Sequence, residues 1–393
     1  MPIRSSLCLV AALLSLLSPL AAAHDPSAYG GVFRSRNFGK TWFPVDAGQF
    51  IGAATCLAVA PADSNHILYG TDSRLLRSRN GGRDWTPESA NQLRGPIHAV
   101  AFDSSGKSAI VSTSVGIFHS QDGAHWLPAA TPVNASPARV IAAAARRIYL
   151  ASSSGIFFSE DQGQTWSAGG PSLPQGKLTA LVVSGGGAER LFSLIGGNVF
   201  HSSDGAKTWE PRSAGLPAAK VEALALDEDS VTRLWAAAAN RMFKSEDAGL
   251  TWEAYGQPLG AQDISVRAIA VRNGMETLLL TTHRGVLRSD DGARTWTSME
   301  GNLPVHLEAG PLVGDPLDRA TLYAGFALLP YLELWRRAEE GGSLLTRIDP
   351  WSLAGGAAFL ILMGIGGTLS VKWLRGASGA PLAQEHAKEA KPS

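Results

Sequence analysis

Short apolar runs and clusters of Gly, Ser, Asp and Asn alternate along this chain with a fixed long period. The clearest copy is Gly155-Ile156-Phe157-Phe158-Ser159-Glu160-Asp161-Gln162-Gly163-Gln164-Thr165-Trp166. An alternating apolar run followed by Ser-x-Asp-x-Gly-x-x-Trp predicts a β-strand, a tight turn and the first residue of a returning strand. Copies end at Trp42, Trp85, Trp126, Trp166, Trp209, Trp252 and Trp296, spaced 43, 41, 40, 43, 43 and 44 residues apart. Between them, residues 55–60, 97–102, 139–144, 178–183, 221–226 and 266–271 are small, apolar and β-branched, as strands near a crowded axis should be. Second strands follow, among them residues 66–71, 109–113, 147–151, 234–238 and 277–281.

Each unit therefore holds four strands, and a period of 40 to 45 residues is that of a propeller blade. The turn chemistry is legible position by position. Asp161 can accept bonds from backbone N–H groups just downstream, Gly163 can take a positive φ, and Trp166 buries a large apolar surface between sheets. Asp122, Asp204, Asp247 and Asp291 repeat the role of Asp161, Asn37 and Asn80 replace it in the first two copies, and Gly205 and Gly292 fall one place early. The Ser120–Trp126 copy is one residue shorter than the others. The first third strand lacks inner strands of its own, whereas residues 310–314 and 321–326 form two strands lacking an intact turn. The two ends are expected to complete one blade jointly, which gives seven blades and leaves no open edge. Residues 331–338 resemble a decayed third strand and leave an eight-bladed ring open at this stage.

These repeats resemble the Asp-box, or BNR repeat, of sialidase-type β-propellers over residues 31 to about 330. Within that superfamily the chain is most similar to the photosystem II assembly/stability factor propellers. Residues 31–42, Gly-Val-Phe-Arg-Ser-Arg-Asn-Phe-Gly-Lys-Thr-Trp, and 242–252, Met-Phe-Lys-Ser-Glu-Asp-Ala-Gly-Leu-Thr-Trp, carry that likeness. It implies an all-β, seven-bladed β-propeller over residues 24–337, a non-enzymatic scaffold that binds a membrane-protein intermediate or a subunit of a membrane complex, with no cofactor.

Lys and Arg number 34 against 34 Asp and Glu, so nothing suggests nucleic acid. Hydrophobic residues make up 45% of the chain and argue against disorder. Arg4, the apolar run from Leu7 to Leu20 and Ala21-Ala22-Ala23 predict a signal peptide over residues 1–23. Residues 338–349 read as a stalk, and 350–372 as a single transmembrane helix, whose uncharged core from Trp351 to Val371 suffices to cross the hydrocarbon. Lys372 and Arg375 suit a cytoplasmic end, so 373–393 is a cytoplasmic tail. The expected location is the inner membrane, single-pass, with the propeller on the periplasmic side.

The Asp-box residues are assigned to closing turns. Binding is expected at loops between second and third strands, where Arg74, Arg241, His283 and Arg284 share one face and could recognise carboxylates on a partner protein. The same loops carry hydroxyls at Ser112-Thr113-Ser114 and Ser152-Ser153-Ser154, which would suit a glycan. The alternative reading is thus a surface-tethered sialidase- or xyloglucanase-like glycoside hydrolase, or a glycan-binding propeller. Hydrolysis needs two carboxylates across the bond, and the loop acids Asp46, Asp72, Glu88, Asp263, Glu300 and Glu308 show no spacing that selects a pair. The nine His residues show no metal-ligand spacing, so no catalytic residue and no metal ligand is assigned.

Overall fold

Seven inner strands are set by the small apolar runs: Ala54–Ala60, Ile97–Phe102, Val140–Ala143, Leu178–Val183, Val221–Leu226, Val266–Arg272 and Glu308–Gly314. Each touches the next around a ring, and Glu308–Gly314 touches Ala54–Ala60, so the ring closes at seven. The computed structural model describes residues 30–327 except 46–51, 89–92, 94, 131–136, 171–172, 185–188, 228–229, 261–263, 273–275 and 305–306. Among the described residues there are seven four-stranded antiparallel sheets, numbered here as blades one to seven by the order of their inner strands.

Blades one to six are continuous in sequence. The seventh joins Glu308–Gly314 and Leu322–Ala327 to the N-terminal Gly30–Ser35 and Phe43–Pro44. Its seam pairs Gly30 with Ala327 and Ser35 with Leu322, so backbone hydrogen bonds between the two ends hold the ring shut. Residues 331–338 lie outside the described residues, and the ring is complete without them. So do the segments expected to be a signal peptide, a stalk, a membrane helix and a cytoplasmic tail; among the described residues no helix is long and apolar enough to cross a membrane.

The core is divided into layers between blades rather than gathered in one centre. Trp85 packs with Tyr69, Val32 and Tyr323 between blades seven and one, and Trp42 packs with Phe33, Leu279 and Phe326 between six and seven. Trp42, Trp85, Trp126, Trp166 and Trp252 are at most 5% exposed, whereas Trp209 and Trp296 are half-buried.

Two successive left-handed residues form nearly every Asp-box turn: Phe38 and Gly39, Gly81 and Gly82, Gln162 and Gly163, Gly205 and Ala206, Ala248 and Gly249, Gly292 and Ala293. Glycine can therefore occupy either place, which explains why Gly205 and Gly292 fall one residue early without cost to the fold. In the shortened copy only Gly123 is left-handed.

Candidate partner-binding face

The third strands run from one end of the ring to the other. At their far end they enter the Asp-box turns, where the Ser, Asp or Asn and Thr side chains bond to groups of the same turn. Ser159 Oγ accepts from Gly163 N at 2.8 Å and donates to Asp161 Oδ1 at 2.8 Å. Asp161 Oδ1 also accepts from Thr165 N at 2.9 Å, and Oδ2 from Thr165 Oγ1 at 2.6 Å. Asp204, Asp247 and Asp291 bind Thr208, Thr251 and Thr295 in the same two ways. Asn37 Oδ1 accepts from Thr41 N, and Asn80 Oδ1 from Asp84 N, both at 2.9 Å. Asp122, in the short copy, accepts from Ala124 N and His125 N and contacts His125 Nδ1 at 2.6 Å.

These bonds depress the carboxyl groups. The Thr295 N–H and hydroxyl hold Asp291 down at about 2. Burial opposes the shift at Asp204, yet the Thr208 bonds bring it to about 2. The turns are also wired to neighbouring blades. Arg34 Nη1 donates to Gly81 O at 2.8 Å, Arg288 Nη1 donates to Phe38 O, and Trp85 Nε1 donates to Val45 O at 2.7 Å. The basic residues preceding the Asp-box serines thus line blade sides.

At the opposite end lie the loops from second to third strand, together with the starts of the inner strands. Two of the loops are two-residue turns with both residues left-handed, Gly196-Gly197 and Ala239-Asn240. Four are closed by a hydroxyl at the end of the second strand. Thr71 Oγ1 accepts from Arg74 N at 3.0 Å, Thr113 Oγ1 from Val115 N at 3.1 Å, Ser152 Oγ from Ser154 N at 3.1 Å and Thr282 Oγ1 from Arg284 N at 3.0 Å. The rim hydroxyls therefore work in large part as turn closures. At the seventh position the chain enters at Gly30 and leaves after Ala327, so both ends of the propeller emerge on this face.

The predicted site residues divide here. Arg74 and Arg284 are exposed. Arg241 is half-buried and its Nη2 donates to Gly256 O at 3.0 Å; His283 is half-buried and its Nδ1 accepts from Ser265 N at 3.0 Å, which leaves the proton on Nε2. Arg241 and Arg284 belong to adjacent blades five and six, whereas blade seven separates Arg284 from Arg74.

A second set of residues at this face escaped the sequence reading. The second residue of the inner strands is Thr55, His98, Thr179, Glu222 and Arg267 in blades one, two, four, five and six, and in each the pairing register shifts at that residue. Such bulges re-aim a side chain beside the strand. Blade three carries Arg139 immediately before its inner strand, and blade seven shifts over Gly310 and Pro311. Glu222 Oε2 accepts from Val266 N at 2.6 Å, and Arg267 Nη2 meets Glu308 Oε2 at 3.0 Å. Burial, helped by the Arg139 charge, lowers the pKa of His98 and keeps its ring neutral. The signal was present: a polar residue recurs in phase just inside the apolar inner runs of blades one, two, four, five and six.

The loop acids do not form a facing pair among the described residues. Glu308 is bound to Arg267, while Glu88 is bound to Arg77 and accepts from Trp126 Nε1 at 2.6 Å. Asp72 and Glu300 are exposed, and Asp46 and Asp263 lie outside the described residues. Among the described residues no group of three His, Cys, Asp or Glu could hold a metal ion. Burial pushes the Cys56 thiol up to about 12, so it stays protonated and is no nucleophile.

A single closed ring whose third strands end in Asp-box turns defines the class: a seven-bladed Asp-box β-propeller. Residues 34–298 match the family described as Photosynthesis system II assembly factor YCF48, and the chain belongs to that family. Among solved structures it is similar to YCF48 from Cyanidioschyzon merolae, at 16% identity and a TM-score of 0.56, covering 69% of this chain and 95% of that one. It is similar also to YCF48 bound to D1 peptide, at 17% identity and a TM-score of 0.56, covering 75% and 94%. The extracellular domain of a putative hybrid two-component system from B. thetaiotaomicron matches at 12% identity and a TM-score of 0.55, covering 70% of this chain and 37% of that one. At these identities the likeness is one of fold. No curated protein matches the chain in sequence.

Proposed function

We propose that this chain is a non-enzymatic assembly factor that holds a membrane-protein subunit on the face formed by the loops between second and third strands. The observation that carries the reading is the family match over residues 34–298, on a ring whose rim of loops between second and third strands presents the exposed cations Arg74 and Arg284. Guanidinium groups bind carboxylates through paired hydrogen bonds, so an acidic segment or a C-terminal carboxylate is the fitting partner chemistry. A structure to which this chain is similar carries D1 peptide, which supports a peptide as the bound element. We further propose that residues 1–23 export the chain, that 350–372 anchor it, and that the propeller works on the periplasmic side of the inner membrane.

The test is co-purification from gently solubilised membranes, comparing wild type with an Arg74→Ala, Arg241→Ala, Arg284→Ala variant. An Arg74→Ala, Arg284→Ala pair avoids disturbing the Arg241 contact to Gly256. A defined membrane complex recovered by wild type and lost by both variants is the expected result. Equal recovery by all three would remove the binding from this face, and a wild type that recovers no membrane protein would remove the assembly role.

A further inference from the structure

Every blade ends in a short outer strand that starts directly after the Asp-box tryptophan. In all seven the first residue of that strand faces the residue before the Asp-box serine, as Phe43 faces Arg34 and Thr297 faces Arg288. The third residue after the tryptophan donates inward: Val45 N to Val32 O and Glu88 N to Leu75 O at 2.9 Å, Gly169 N to Ile156 O and Arg212 N to Val199 O at 2.8 Å. Bonded and unbonded pairs alternate in an antiparallel ladder. The second residue after the tryptophan therefore turns both its N–H and its C=O away from the sheet.

That position is the free edge of each blade, and the blades fill it in two ways. Pro44, Pro87, Pro128 and Pro211 occupy it in blades seven, one, two and four, and Ala168, Ala254 and Ser298 in blades three, five and six. Proline deletes the outward N–H, which bars another strand from pairing there. Of the three edges that keep the donor, Ser167–Ala168 is two residues long and Glu253–Tyr255 opens on a charge. Thr297–Met299 alone combines three residues with neither proline nor charge, and its Thr297 and Ser298 are exposed. The devices that blunt an edge are thus present around most of the ring and missing at blade six.

An outward N–H and C=O on one residue are both answered by another extended strand. A second copy of the same strand fits by charge. Pairing it antiparallel to itself about Ser298 sets Thr297 opposite the other copy's Met299, with no charge across the ladder. It also brings Glu300, exposed just after one strand, towards Arg294, exposed just before the other. The same operation on blade five would set Glu253 diagonal to its own copy on one face, an unfavourable pair of like charges.

We propose that two copies of this chain associate side by side through the outer edge of blade six, each Ser298 N–H donating to the Ser298 C=O of the other about a two-fold axis. Such a contact is isologous and closes at two copies. Strands in a sheet rotate by roughly 20–25° per step, so an outer strand lies roughly 60–75° from the inner strand and runs across the ring axis. A two-fold parallel to that axis is then allowed, and both rims face the same way. The contact lies on the side of the ring and leaves the partner-binding face free.

The experiment measures the mass of the full chain in mild detergent by sedimentation over a concentration series. Wild type is expected to reach twice the mass of one chain. Ser298→Pro should weaken association roughly tenfold or more, since both bonds at the two-fold are lost. Proline stands at the equivalent place in four blades, so the ring accepts it, and an unchanged urea midpoint checks this. Ala254→Pro, on the neighbouring edge, should leave association unchanged. Residues of a bonded antiparallel pair have Cα atoms about 5.5 Å apart, within the span of a disulfide. With copper phenanthroline as oxidant, Ser298→Cys should therefore cross-link two chains, whereas Pro87→Cys on the edge of blade one should not, wild type controlling for Cys8 and Cys56. Wild type that stays monomeric, association undiminished in Ser298→Pro, or cross-linking no better at 298 than at 87 overturns the proposal. Monomers whose co-purifying membrane complex is lost in Ser298→Pro would assign the edge to a strand of the partner and overturn it equally. The Arg74→Ala, Arg284→Ala pair should leave association unchanged, so failure here and failure of the assembly role are distinguishable.

Discussion

The third strand of blade five is five residues long, Arg241 to Ser245, and its two ends face different demands. At Ser245 the chain enters a turn whose Ser, Asp, Gly, Thr and Trp recur around the ring, with Ser245, Asp247, Gly249 and Thr251 bonded to one another and Trp252 Nε1 donating to Arg212 O of the neighbouring blade. At Arg241 it leaves a loop that differs from every other: Arg74, Val115, Ser154, Gly197, Asn240 and Arg284 occupy comparable places. Sequence that repeats with the blade answers to the ring, which needs the same closure seven times. Sequence that changes from blade to blade is released from that demand and is where a particular partner can be specified.

The comparison breaks first at the tryptophans if repetition does not mark stability. Trp166 is 5% exposed, packs with Ile110, Ile148 and Phe157, and donates from Nε1 to Gly163 O at 3.0 Å. Trp166→Ala should cost about 3–5 kcal/mol in urea unfolding, the range for deleting a large buried aromatic. A loss below about 1 kcal/mol would mean that the layers between blades are not what holds the ring together.

A smaller loss is expected inside the turn. Ser159 Oγ accepts one bond and donates another, and Ser159→Ala leaves the buried Gly163 N–H without its acceptor, at a cost of about 1–3 kcal/mol. Ser154→Ala, on the rim of the same blade, should cost under about 0.5 kcal/mol, since the residue is exposed. Equal losses at the two sites would erase the distinction between the ends.

Acid should separate two groups of residues at the Asp-box end and the seams. Burial, then the charges of Arg77 and Arg79, lowers His66 to about 4, and burial also lowers His119 and His201. The unfolded chain binds protons at these histidines from about pH 6.5 downward while the folded ring does not, so stability present above that pH falls on the way to about 4. Asp204 and Asp291, both at about 2, then contribute stability that is present above the unfolded carboxylate value and is lost as pH falls from about 4 towards 2. Urea midpoints measured from pH 7 to pH 2 should decline through both windows. In His66→Gln the decline between pH 6.5 and 4 should be shallower; an unchanged slope there would show that His66 is not a source of it.

Most of the ring was legible in the sequence because its physics repeats. The inner runs at 97–102, 178–183 and 221–226 match the observed strands end for end, and the joint seventh blade follows from counting strands at each end. The candidate face was only partly legible. Arg74 and Arg284 stand exposed as their loop positions suggest, but nothing in the sequence tells that Gly256 O holds Arg241 or that His283 caps Ser265 N, since both contacts depend on how a loop folds back. The in-phase polar residues Thr55, His98, Glu222 and Arg267 were visible but easily passed over, because one polar residue in an apolar strand resembles ordinary variation until the bulge beside it is seen.

The smallest effect on stability should accompany a complete effect on recognition. Arg74 and Arg284 are exposed, and neither takes part in the layers between blades, so Arg74→Ala with Arg284→Ala should shift unfolding by less than about 1 kcal/mol in total. An acidic partner should nevertheless be lost, because both guanidinium groups are exposed on the rim and lie within reach of another molecule. Salt provides the graded form of the same test. Binding governed by exposed guanidinium groups weakens as the screening length shortens from about 10 Å at 0.1 M to about 3 Å at 1 M, while the ring itself, held by buried layers and short local bonds, should unfold at nearly the same urea concentration. A partner that stays bound at 1 M salt would have to be held by apolar contact, and the rim would then be as much a part of the common scaffold as the turns at the other end of the same strands.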